Sequence, residues 1–78
     1  MRNRPLRDLT EEALTKYLKD LNGHKPAPLY GLVLSEVEHP LFKTVMDYTE
    51  GNQSMAAEIL GINRATLRKK LRHYSLLS

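Results

Sequence analysis

The residues best suited to chemistry lie together near the end of the chain, in NRATLRKKLRH, Asn63 to His73. Every acidic residue lies at or before Glu58, so residues 1–58 sum to −2 (seven basic, nine acidic) and residues 59–78 to +5 with no acid. Within this tail Leu67, Leu71 and Tyr74 recur at i, i+4 and i+7, one face of an α-helix. At about 100° per residue, Ala65, Lys69 and Arg72 point away from that face, with Thr66, Arg68 and His73 on its flanks. A helix that buries one stripe and presents cations on the other can enter a nucleic-acid groove. A cationic face alone is equally a solvated surface. The acid-free tail and a capped glycine turn before it tip the reading toward nucleic acid.

Other chemistries have little to draw on. His24, His39 and His73 are scattered among loop, helix and tail, with no ligand pair at i, i+3 or i+4. Glu36 and Glu38 are two apart and project from nearly opposite sides of a helix. There is no glycine-rich phosphate loop, no cysteine nucleophile and no Ser/His/Asp set that the sequence assembles. The expectation is a protein that is not an enzyme and needs neither cofactor nor metal.

The elements that must position the basic stretch come next. A 78-residue chain is one small domain, and a core of that size rarely supplies more than roughly 3–5 kcal/mol. With no cysteine to form disulfides, association with a second copy is the natural support. There is no run of about 18 apolar residues to span a membrane, and the basic start MRNRPLRD has no apolar stretch behind it to make a secretory signal. A cytoplasmic protein is expected. The pI near 9.4 suits nucleic acid, an anionic membrane surface or an acidic protein.

Residues 1–5 read as a disordered basic lead. Leu6, Leu9, Ala13, Leu14, Tyr17, Leu18 and Leu21 predict an amphipathic helix over 6–22, with Asp8 or Thr10 as cap and Asn22-Gly23 as its end. His24 to Pro28 is a loop. Over 29–49 one stripe reads Leu29, Val33, Val37, Leu41, Val45, Tyr48 and another Tyr30, Leu34, Phe42, Met46. A helix apolar on two sides is buried on two sides. The first helix covers one side and a second copy the other, which predicts an intertwined dimer with Leu14, Leu18, Val33, Val37, Leu41 and Val45 in its core. Pro40 falls inside this pattern, but the stripe passes from Val37 to Leu41 in phase. That predicts a single helix kinked at Pro40 rather than a loop. Glu50-Gly51 closes it. Asn52 caps a third helix over 53–60, Gly61-Ile62 turns, and Asn63 caps a fourth over 64–74. Ala57, four residues before Gly61, is small where the two helices pack.

Two short helices joined by a glycine turn make residues 51–78 a helix-turn-helix unit. The second helix of such a unit lies in the major groove with its N-terminal residues at base edges. Arg64 sits there and can bond guanine O6 and N7, Asn63 can read adenine or cap the helix, and Lys69 can meet a base or phosphate. Arg68, Lys70 and Arg72 suit flanking phosphates, while Asn52, Ser54 and Thr66 offer donors near helix N-termini, where phosphates bind.

GNQSMAAEILGINRATLRKKLRHY, Gly51 to Tyr74, resembles the helix-turn-helix of the Fis family of bacterial nucleoid-associated factors. The NtrC-type activators end in a similar module, but PLRD (Pro5 to Asp8), LNG (Leu21 to Gly23) and LYGLVLSEVEHPLFKTVMDYTEGNQ (Leu29 to Gln53) favour the Fis family. The resemblance implies an all-helical homodimer that binds loosely related double-stranded DNA sites, bends them and regulates transcription in the nucleoid. It implies base or groove contacts by Asn63, Arg64 and Lys69, and contacts on or near the DNA backbone by Asn52, Ser54, Thr66, Arg68, Lys70 and Arg72. Glu50 and Met55 stand where enteric relatives carry arginines, which implies weaker flanking contacts, and Ser54 replaces a threonine. The chain begins where the family's N-terminal arm would be ending, so recombinase contact is not carried over. The alternatives are an NtrC-type effector module or a protein-interaction module whose basic helix meets an acidic partner.

Overall fold

The computed structural model describes residues 5–25 and 28–77. The expected disordered lead, apart from Pro5, and Pro26 and Ala27 of the expected loop lie outside them. Among the described residues the chain is all-α, with four helices in the order α1 (Leu6–Asp20), α2 (Leu29–Tyr48), α3 (Gln53–Leu60) and α4 (Arg64–His73) and no strand.

The start of α1 corrects the sequence expectation. Neither Asp8 nor Thr10 caps it: Pro5 precedes the helix with φ −57°, and its carbonyl accepts from the N–H groups of Asp8 and Leu9 at 3.0 and 3.3 Å. Proline suits this place because its φ is already near-helical and the N–H it lacks would be unpaired there. Thr10 lies inside the helix, its hydroxyl donating to the Leu6 carbonyl at 2.9 Å. The helix stops at Asp20, two residues short of the expected bound, and Asn22 and Gly23 turn the chain out at φ +52° and +85°.

The α2 helix runs through Pro40 without interruption, as the unbroken stripe requires. Its two halves meet different surroundings. Phe42 is buried, and Val45 and Met46 pack beside it against the C-terminal half of the chain. Leu29, Leu32, Val33 and Val37 instead face Leu9, Ala13, Leu14 and Tyr17 of α1 across an open groove of about 350 Å³. No residue of α1 is buried.

The core lies where α2, α3 and α4 meet. Phe42, Ala56, Ala57, Leu67 and Leu71 form it, with Leu60, Ile62, Tyr74, Leu76 and Leu77 packed around them. Ala56, Leu67 and Leu71 have no exposed surface at all. Truncating a leucine so placed costs about 2–5 kcal/mol, the lost transfer energy plus the cavity left behind.

The end of α3 is closed by the N–H of Ile62 on the Ala57 carbonyl at 3.1 Å, with Gly61 at φ +71° between them. The end of α4 repeats this closure, Leu76 N–H to Leu71 carbonyl at 2.8 Å, but Ser75 occupies the left-handed position at φ +56°. Both are the same helix-terminating motif, and only glycine adopts its turn conformation freely. A Cβ on Gly61 would meet nothing within 4 Å, so the constraint there is the backbone itself. Gly61→Ala is therefore expected to destabilise by about 1 kcal/mol and Ser75→Gly to stabilise by a similar amount. Urea unfolding of the two variants checks the opposite signs.

Candidate nucleic-acid interface

Both helices of the C-terminal pair begin at an asparagine whose side chain satisfies the helix end. Asn52 Oδ1 accepts from the Met55 N–H at 3.0 Å and starts α3; Asn63 Oδ1 accepts from the Ala65 N–H at 2.7 Å and starts α4. Such caps are worth typically about 1 kcal/mol each. Capping also decides what Asn63 has left to offer. With one lone pair of its carbonyl oxygen taken by the cap, Asn63 has one acceptor site and its NH₂ left to offer a base.

Leu67 and Leu71 turn inward, so the rest of α4 turns outward. Arg64, Thr66, Arg68, Lys69 and Arg72 are all exposed, as are Asn52, Ser54 and Asn63. Arg68 crosses to α3, where its Nη1 donates to Gln53 Oε1 at 3.0 Å, which brings a guanidinium to the first turn of α3 beside Asn52 and Ser54. Thr66, Lys69, Lys70, His73 and Tyr74 line a shallow open groove along the other flank. Among the described residues the ion pairs are Lys16–Asp20, Lys43–Asp47 and Lys70–Glu38, which leaves Arg64, Lys69 and Arg72 with no carboxylate partner there.

Lys70 departs from its sequence-based place among the freely exposed cations. It is half-buried and turned toward α2, with Nζ 3.3 Å from Glu38 Oε1. Tyr74, expected simply as a core residue, is also only half-buried, and its hydroxyl donates to the same Glu38 oxygen at 2.6 Å. His39 and His73, far apart in the sequence, both set their rings edge-on to Tyr74, at centroid distances of 5.9 and 4.7 Å. Among the described residues no three His, Asp or Glu side chains converge as a metal site.

The sequence carried a signal for this network. Tyr30, Leu34, Phe42 and Met46 follow a four-residue step whose missing member is Glu38, an acid in an otherwise apolar row. Thr66, Lys70 and Tyr74 follow the same step on α4. A half-buried tyrosine places its hydroxyl on a partner, and the interrupting acid was that partner. Gln53 carried no comparable mark.

The segment that holds these features, residues 33–74, matches the family model described as bacterial regulatory protein, Fis family, and makes up more than half of the chain. The chain belongs to the Fis family. It is 60% identical to the DNA-binding protein Fis of Mannheimia haemolytica over 95% of its own length and 76% of that protein's. The corresponding protein of Psychromonas ingrahamii is 58% identical over 94% of this chain and 74% of its own length. That of Pasteurella multocida is 57% identical, with 95% and 75% covered. The resemblance read from the sequence is thereby established for the family, and the C-terminal pair of helices is its helix-turn-helix. Among the described residues no helix is long and apolar enough to cross a membrane.

In this Fis-family chain the Glu38–Tyr74 bond shifts both groups. The phenol's hydrogen bond holds the Glu38 carboxyl below the ordinary 4.5; partial burial opposes this, and Lys70 reinforces it. The same bond and burial push Tyr74 above the ordinary 10.0, against a hydrogen bond with Ser35. A carboxyl that ionises more readily when folded contributes its stability in full above its unfolded value and loses it as pH falls through the lowered one. A phenol held protonated contributes in full below its unfolded value and loses it as pH rises through the raised one. The stability difference between the native protein and Tyr74→Phe is therefore expected to be flat between pH 4.5 and 10.0 and to shrink beyond both limits. Chemical unfolding across the pH range measures it.

Proposed function

We propose that this Fis-family protein acts as a homodimer that binds double-stranded DNA in the major groove with α4, bends it, and regulates transcription in the bacterial nucleoid. The observation that carries the reading is the exposed face of Arg64, Lys69 and Arg72, without a carboxylate partner among the described residues, on a helix whose opposite face is fully buried. A rigid helix with cations on its open side meets the requirements of groove entry and phosphate neutralisation together. The relatives' printed name, DNA-binding protein Fis, supports the same partner. Binding rather than catalysis is then the whole activity.

Roles within α4 follow from position. Arg64, in the first turn, reads a base edge, with Lys69 one turn on and the Asn63 NH₂ beside it. Arg68 with Asn52 and Ser54 forms one phosphate clamp around the start of α3, while Thr66 and Arg72 reach the backbone elsewhere and Lys70 stays paired with Glu38 on α2. Arg64→Ala is expected to lose discrimination among sites at a cost of about 1–3 kcal/mol. Arg72→Ala is expected to weaken all sites alike and to flatten the plot of log K against log salt by about 0.9 for each phosphate that it leaves unneutralised. Anisotropy titrations at several salt concentrations separate the two, and a native protein without duplex affinity at low salt would return the basic helix to a protein partner.

The dimer reading rests on apolar surface that one chain leaves uncovered. Leu18, Val37 and Leu41 are each nearly half exposed at 46%, 44% and 44%, and Leu14, Val33 and Val45 are incompletely covered. We assign residues 6–49 to dimerisation and 51–78 to DNA. Two recognition helices held at one separation would compress the central minor groove of a bent site, and the sequence there would be read through its deformability. Light scattering at micromolar concentration is expected to give twice the chain mass. Duplexes with A·T-rich centres are expected to bind more tightly than those with G·C-rich centres.

A further inference from the structure

The recognition helix is packed by apolar contacts that hold it in place but do little to orient it. Leu67 and Leu71 bury fully against α3 and α2, and such contacts are non-directional, so they set distance better than angle. Among the described residues, apart from the hydrogen bond of Tyr74 with Ser35 on α2, directional side-chain bonds to the rest of the chain occur at two points. One is Arg68 to Gln53, which ties α4 to α3. The other is Glu38 on α2, whose Oε1 receives Tyr74 Oη at 2.6 Å and Lys70 Nζ at 3.3 Å.

The second point has a particular setting. Tyr74 is the residue that ends α4, and besides Ser35, which bonds its hydroxyl, three residues of α2 surround it: Glu38 by the hydrogen bond, His39 at 5.9 Å between ring centroids, and Phe42 at 6.2 Å. These three straddle Pro40, the residue of α2 that cannot donate to the helix's own ladder. Tyr74 therefore contacts α2 on both sides of Pro40. The stretch of α2 before Pro40, which carries Glu38 and His39, also carries Val33 and Val37, which belong to the apolar surface assigned above to the dimer.

We propose that Glu38 is a positioning residue for DNA recognition: by holding Tyr74 and Lys70 to α2, it fixes the angle of the recognition helix against the dimerisation helix. In a dimer this angle sets the separation of the two recognition helices and hence the half-site spacing that the protein accepts. The inference rests on the dimeric DNA-binding reading. An ionised carboxylate receiving two donors suits the task, because charge-assisted bonds are shorter and stronger than neutral ones.

The test uses the full chain and a set of duplexes whose two half-sites are moved apart or together one base pair at a time. The readout is the ratio of affinities between the best spacing and its neighbours. Tyr74→Phe, which keeps the ring and loses the hydroxyl, is expected to reduce that ratio roughly three- to tenfold. Glu38→Ala, which also releases Lys70, should reduce it at least as far, and adding Tyr74→Phe to Glu38→Ala should change little more, since the bond between them is already gone. Glu38→Gln, whose carbonyl still accepts from the phenol, should retain most of the ratio. A uniform weakening on every duplex in both Tyr74→Phe and Glu38→Ala would mark a merely structural role and overturn the proposal. A native protein indifferent to spacing would instead remove the dimer reading, and the proposal with it.

Discussion

The burial of Leu67 and Leu71 governs the C-terminal half of this molecule. A helix of ten residues carrying five basic side chains and a histidine has little reason to be stable alone, because isolated helices this short are marginal in water. It is held because its apolar stripe disappears completely against Phe42, Ala56 and Ala57. Two alanines on α3 let the helices approach closely, and the Gly61 turn brings α4 back onto them within a few residues. Once that stripe is fixed inward, the cations have nowhere to go but outward. The interface is thus a consequence of packing as much as of charge.

The N-terminal half obeys the same physics without completing it. Among its described residues α1 makes an amphipathic face but buries nothing, and the groove between α1 and α2 stays open. The α2 helix is consequently asked to serve two cores. Phe42, Val45 and Met46 complete the one around the helix-turn-helix, whereas Leu34, Val37 and Leu41 remain 40–44% exposed. In the proposed dimer the partner's helices would fill this second core. A single helix would then join the surface that sets symmetry to the surface that meets DNA, with Pro40 and Glu38 at the junction.

Charge is distributed to match. The acids lie on α1, on α2, in the turn that follows it and on α3, and α4 has none. Exposed pairs such as Lys16–Asp20 and Lys43–Asp47 add little stability. Their importance is that they neutralise cations away from the candidate interface, while Arg64, Lys69 and Arg72 have no carboxylate partner among the described residues. Lys70 is the exception on α4, and its carboxylate partner comes from α2 rather than from its own neighbourhood.

Local rules in the amino-acid order settle which segments are helical, which face of each is apolar and where the cations accumulate. Periodicity and caps act at short range: Asn52 and Asn63 satisfy helix ends within three residues, and Leu67 and Leu71 share a face by spacing alone. The same rules misjudged the start of α1, where Pro5 outcompetes the side-chain caps by pre-setting the backbone. Partners across helices were chosen by the folded arrangement. Glu38 and Tyr74 are 36 residues apart, Lys70 and Glu38 are 32 apart, and Arg68 and Gln53 are 15 apart. No helical period links such positions; only the packing of Leu67 and Leu71 against α2 and α3 brings them within hydrogen-bonding distance. The gap at Glu38 in an apolar row marked one of the participants, but its partner was settled by the crossing of two helices.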